Sequence, residues 1–117
     1  MRTDNKKLTA VFFKKASGKE PVKEWIKDLT PANRKIIGRD IKTVELGWPI
    51  GMPVCRPLDK GLYEVRSTLE CGNIEARVIF CLEGNTMLLL HSFIKKSQKT
   101  PQKEIDLAFN RKKEIYR

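Results

Sequence analysis

The sequence predicts an α+β fold: an antiparallel twisted sheet with an N-terminal helical hairpin and a C-terminal helix, in the order β-α-α-β-β-β-α. Three observations point to it. The apolar period changes from two to 3.6 near Pro21 and returns to two at Leu62. The pair Thr-Pro, a cap followed by a first-turn proline, occurs at Thr30-Pro31 and again at Thr100-Pro101. Short turn signals at Cys71-Gly72-Asn73 and Gly84-Asn85 separate three strand-like runs. At 117 residues the chain is sized for one domain.

Each element has its own warrant. Thr9 to Phe13 is rich in β-branched and aromatic residues and closes at Ser17-Gly18, so it reads as a short strand. Pro21 opens a helix whose Val22, Trp25, Ile26 and Leu29 fall at i, i+3, i+4 and i+7 on one stripe. A second helix starts at Pro31, carries Ile37, Ile41 and Val44 on its apolar face and stops at Gly47. Pro49, Gly51, Pro53 and Pro57 make the following stretch a loop or at most an edge strand, because proline cannot donate to a ladder. Leu62 to Leu69, Glu75 to Leu82 and Thr86 to Ile94 form an antiparallel meander, with the helices expected on one face of the sheet. Ile105, Ala108, Phe109 and Tyr116 mark the last helix, with Thr100 as its expected cap.

Composition narrows the partners. Twenty-four Lys and Arg against 14 Asp and Glu give a net charge of +10, which favours a polyanion: nucleic acid, an anionic membrane face or an acidic protein. The longest apolar stretch, Met87 to Leu90, is far short of the ~20 residues a membrane helix needs, so a soluble cytoplasmic protein is expected. Cys55, Cys71 and Cys81 are widely spaced and odd in number, which suits reduced thiols better than a disulfide framework or a zinc knuckle. No metal or other cofactor is expected, since one histidine and scattered carboxylates do not assemble a ligand set.

Alternation places Arg66 and Arg77 on neighbouring strands, on the face opposite Val65 and Val78 and away from the apolar helices. They either pair with Glu64 and Glu75 or form a site. The segment His91 to Pro101 then brings His91, Lys95, Lys96, Gln98 and Lys99 to the approach of a helix N-terminus, where an anion is favoured, and Lys103 extends the positive field. His91 has the only side chain with an unperturbed pKa near neutrality and can serve as general acid or base. A strict two-residue turn at Gly84-Asn85 instead sets Arg77 opposite Ser92 and His91 opposite Val78, on the helix-facing side, as a half-buried structural residue. Cations with one histidine suffice in principle to cleave an RNA phosphodiester, and equally to bind a phosphate.

The motifs G-L-Y-E-x-R (Gly61 to Arg66), A-R-V-x-F (Ala76 to Phe80) and H-x-F-x-K-K-x-Q-K-T-P (His91 to Pro101), in that order, resemble the RelE/HigB superfamily of type II toxin–antitoxin toxins, in its phage-derived branch. The resemblance covers nearly the whole chain and is weakest before Pro21. It implies a RelE-like fold and a metal-independent, ribosome-dependent mRNA endonuclease, neutralised by a cognate antitoxin, expected to be a helix-turn-helix protein encoded beside it. It further implies that Arg66 and Arg77 surround the scissile phosphate and that Lys95, Lys96 and Lys99 belong to the basic segment. With these, catalytic roles are expected for Arg66, Arg77, His91 and Lys95, and substrate binding for Lys96, Gln98, Lys99 and Lys103. Some relatives use a tyrosine in the final helix region, and Tyr116 stands close to the terminus. ParE relatives share the fold but act on DNA gyrase, so a gyrase inhibitor is the alternative, with a non-catalytic nucleic-acid-binding module as a third. Arg77→Ala is expected to abolish growth arrest and leave folding intact, and the antitoxin to cover the basic face.

Overall fold

The computed structural model describes residues 6–70, 72–96 and 98–115. In chain order the elements are β1 (Thr9–Phe12), α1 (Pro21–Lys27), α2 (Pro31–Gly47), β2 (Cys55–Pro57), β3 (Tyr63–Thr68), β4 (Glu75–Glu83), β5 (Thr86–Lys95) and α3 (Gln102–Glu114). The α+β class and the order of the main elements match the sequence expectation. The proline-rich stretch supplies β2, a three-residue strand at the sheet edge, where Pro57 costs no interior ladder bond. Tyr116 lies outside the described residues.

The sheet runs β1-β5-β4-β3-β2. Strands β2 to β5 are antiparallel neighbours, whereas β1 adds to β5 in parallel, with Val11 opposite Leu88. Its outer edge is partly closed by Glu45 of α2, whose carboxylate accepts from the Ala10 N–H at 2.8 Å. Gly84 takes φ +60° in the β4–β5 turn, a conformation glycine adopts without steric cost, and Glu83 stands opposite Thr86 as a two-residue turn requires.

Two apolar layers sandwich the sheet, and they alternate along each strand as the pleat dictates. Val65, Ala76, Val78, Phe80, Met87 and Leu89 pack on one side with Val22 of α1 and Ile37, Ile41 and Val44 of α2. Ile79, Cys81, Leu90 and Phe93 pack on the other with Ile105 and Ala108 of α3. The expectation that all helices gather on one face is thus corrected: α3 covers part of the opposite face, the one that carries Arg66 and Arg77. Trp48, at the end of α2, meets Tyr63 edge-on at 5.0 Å between ring centroids and fixes the helix against β3.

Caps explain the helix ends. Thr30 accepts from the Asn33 N–H at 3.2 Å as expected, and Arg34 donates to the carbonyls of Lys27 and Leu29, both at 3.0 Å, closing the end of α1. At α3 the sequence expectation fails, for Pro101 occupies the cap position and the Thr100 hydroxyl turns instead to Glu64 at 2.6 Å.

The register of β4 and β5 is the other correction. It slips between Ile79 and Phe80, so that Ile79 faces His91 while Phe80 faces Leu89, and Leu90 is the extra residue of a β-bulge. The Leu90 carbonyl accepts from Arg111 of α3 at 2.7 Å, which gives a bulged backbone group the partner it needs. Beyond the bulge Arg77 faces Phe93 and Val78 faces Ser92, not the pairs a regular ladder predicts.

Candidate functional site

Arg66 on β3 and Arg77 on β4 stand directly opposite one another. Two like charges in that position repel across a ladder unless carboxylates intervene, and two do. Glu64, two residues before Arg66 and therefore on the same face, is fully buried; it accepts from Arg66 Nη1 at 3.1 Å and lies 3.7 Å from Arg77 Nε. Glu75, two residues before Arg77, accepts from Arg77 Nη1 at 3.2 Å and from the Thr68 hydroxyl at 2.7 Å. Arg77 is not the exposed sheet residue that alternation alone suggests: its side chain is 2% exposed and is held between Glu64 and Glu75. Its Nη1 also donates to the Ala76 carbonyl at 2.9 Å, while its buried Nε has no hydrogen-bond partner.

The bulge completes the site. By shifting β5 one residue it turns Lys95 to the arginine face, opposite Glu75. Arg66, Asn73, Glu75, Arg77, Lys95, Lys96 and Gln98 then line one open cleft of about 740 Å³. The Lys95 ammonium donates to the Gln98 carbonyl, which ties the start of the β5–α3 connection to the cleft wall. Partial burial, then the charges of Arg77, Arg66 and Arg56, hold the Lys95 pKa below its ordinary value against the opposing pull of Glu64. Burial works to raise the Glu75 carboxyl, but hydrogen bonds from Thr68 and Arg77 and the arginine charges outweigh it, so Glu75 titrates below the usual range. Four cations against Glu75 and Glu64 leave the cleft net positive.

The other sequence candidates lie elsewhere. Gln98 also lines a neighbouring cavity of about 810 Å³ with Arg56, Leu58, Lys99 and Pro101. Lys103 is exposed on α3 and lines neither space. His91 stacks on Phe93 at 5.5 Å and meets Glu104 of α3 at 2.6 Å, half-buried. It is four residues from Lys95 along β5, about 13 Å at strand rise, with Phe93 between. It is thus on the sheet face of α3, not on the side of α1 and α2 where a regular ladder puts it. The sequence assigns Asn73 only a turn and Thr100 only a cap, and Arg56 goes unremarked although it is a cation on a proline-bounded edge strand.

Across the chain, residues 24–113 match the model of a family described as phage derived protein Gp49-like (DUF891). The chain belongs to this Gp49-like family. The match spans all the cleft residues. A search of curated proteins finds no match. Among the described residues of this Gp49-like chain, no helix is long and apolar enough to cross a membrane. Cys55 and Cys81 are free and buried, and burial pushes both thiols up to about 11, so they are poor nucleophiles. Cys71 lies outside the described residues.

The His91 environment makes a prediction of its own. Desolvation lowers its pKa, and the hydrogen bond and charge of Glu104 only partly offset this against Arg111. A histidine whose folded pKa is depressed binds its proton more readily unfolded, so the stability it supports is complete above the unfolded value of about 6.5. That stability is lost as pH falls from there through the folded pKa. Thermal unfolding of the wild type between pH 7 and pH 5.5 should show the decline, and His91→Gln should flatten it.

Proposed function

We propose that this Gp49-like protein is the toxin of a type II toxin–antitoxin pair, a metal-independent endonuclease that cuts mRNA on the ribosome. The observation that carries the reading is the convergence of Arg66, Arg77, Lys95 and Lys96 on one cleft beside the β5–α3 connection. RNA cleavage by internal transfer needs three things. The ribose 2′-OH loses a proton and its oxygen attacks phosphorus; cations hold the charge that builds on the phosphoryl oxygens; the departing 5′-oxygen takes up a proton. Arg66 and Lys96 at the cleft mouth, with Arg77 below, serve the second task. Lys95, whose pKa is lowered by partial burial and then by its like-charged neighbours, serves the first. The departing oxygen is protonated from water or from the lysine once charged. Membership of the Gp49-like family, associated with toxins of such pairs, supports the same reading.

His91 has no part in this scheme. His91→Gln is expected to keep mRNA cleavage within a few-fold of wild type, read in the same assay as below.

Primer extension on translated mRNA after induction tests the function. Cuts in register with codons support it. A DNA damage response with intact mRNA would replace it with gyrase inhibition, and neither outcome would leave a nucleic-acid-binding module.

Salt dependence supplies an independent measure. If Arg66, Lys95 and Lys96 each contact a phosphate, the affinity of the purified chain for a 2′-deoxy, uncleavable single strand should fall by about 2 log units per log unit of salt, at ~0.7 per contact. A flat profile would mean the cleft does not hold the backbone. The partner that silences such a toxin is a cognate antitoxin, and a net charge of +10 favours an acidic segment laid over the cationic face.

A further inference from the structure

We propose that Glu64 is the positioning residue of the cleft, its single carboxylate holding Arg66, Arg77 and the β5–α3 connection in one working arrangement; this rests on the nuclease reading above. Glu64 is 0% exposed, an expensive place for a carboxylate unless donors surround it. Its partners, two donors and one ion-pair neighbour, come from three separate parts of the chain. Arg66 Nη1 of β3 reaches one oxygen at 3.1 Å, the same oxygen that lies 3.7 Å from Arg77 Nε of β4. The other oxygen takes the Thr100 hydroxyl at 2.6 Å, thirty-six residues away in the chain.

Thr100 matters because its usual task would be to cap α3. Its hydroxyl leaves that position and is spent on Glu64, so the connection that carries Gln98 and Lys99 is pinned to the floor of the site. The carboxylate does not line the cleft, and a substrate above it would meet the guanidinium groups, not Glu64. Its role is therefore exercised through its neighbours. It sets where the two guanidiniums stand, and its charge offsets the repulsion that Arg66, Arg77 and Arg56 exert on Lys95, while Glu75 faces Lys95 from β4.

Glu64→Gln is the direct test. The amide keeps an oxygen for Thr100 but turns an N–H toward the arginines, so Arg66 loses its acceptor and Arg77 its ion-pair partner, while the cleft gains net positive charge. In the ribosome-dependent cleavage assay kcat should fall on the order of a hundredfold, the scale of a misplaced reacting group, with KM unchanged or lower. Lys95, followed by NMR of the 13Cε-labelled full chain, should titrate at lower pH than in wild type. Thr100→Val, which removes one hydroxyl and leaves every charge in place, should lower kcat at least several-fold at a near-native melting temperature, and it keeps the test open if Glu64→Gln does not fold.

Wild-type kcat in Thr100→Val, or an unmoved Lys95 titration in folded Glu64→Gln, would overturn the positioning role. So would a fall in kcat matched by an equal rise in KM. Should the wild type itself leave translated mRNA intact, the nuclease reading fails, and the Lys95 titration together with binding of a 2′-deoxy single strand still decides whether Glu64 organises the cations.

Discussion

Arg77→Ala is expected to abolish cleavage and to destabilise the protein by about 3–5 kcal/mol, because removing one partner of a buried ion pair strands the other charge in a low-dielectric site. The stranded group is Glu64, fully buried and left with Arg66 and Thr100. Against a total stability of roughly 5–15 kcal/mol such a loss is large. Urea unfolding should therefore show a clear fall in midpoint, contrary to the intact folding that an exposed arginine would predict. Lost growth arrest in this variant alone says little about chemistry. The double variant Arg77→Met, Glu64→Gln separates the two effects: with both charges removed the stability should return in large part, while cleavage stays lost. Wild-type stability in the single variant would mean that Arg77 is not committed to its buried pairs.

Lys95→Ala should lower kcat by about 10²–10⁴-fold, the range a positioned proton-transfer group supplies, with little change in stability since the side chain sits at the cleft wall and not in either apolar layer. A lysine that takes a proton acts in its neutral form. The wild-type rate should therefore rise with pH and level off as pH passes the Lys95 pKa, which lies below the ordinary lysine value. That rising limb should vanish in Lys95→Ala. Lys95→Arg keeps the charge but stays protonated at any accessible pH, so it should bind an uncleavable strand like wild type and still not cut. Cleavage by Lys95→Arg at the wild-type rate would reduce Lys95 to a phosphate contact.

Much of the architecture was legible because it rests on local chemistry. The stripes of α1 and α2, the Thr30 cap and the Gly84-Asn85 turn are each decided within a few residues, and each stands where its pattern puts it. The pairing of Glu64 with Arg66 and of Glu75 with Arg77 was also open to reading, as i, i+2 neighbours on one strand face. What could not be read depends on contacts between distant segments. The parallel docking of β1 on β5, the burial of Arg77 against Glu64 of the neighbouring strand, and the diversion of Thr100 to Glu64 are all set by packing that no window of ten residues contains. The face taken by His91 stayed open for the same reason, since the register of β5 is decided by a bulge whose carbonyl is satisfied from α3.

That bulge also makes the length of β5 a matter of odd and even. Leu88 and Leu90 face α3 before it; His91, Phe93 and Lys95 face the same way after it. Excising Leu90 itself would leave a regular ladder with Lys95 still opposite Glu75, whereas excising one residue between His91 and Lys95 would send Lys95 beneath the α1–α2 layer and bring Lys96 to the arginines. A single deletion in β5 should accordingly be tolerated at the bulge, and between the bulge and Lys95 it should exchange the lysine that the cleft receives.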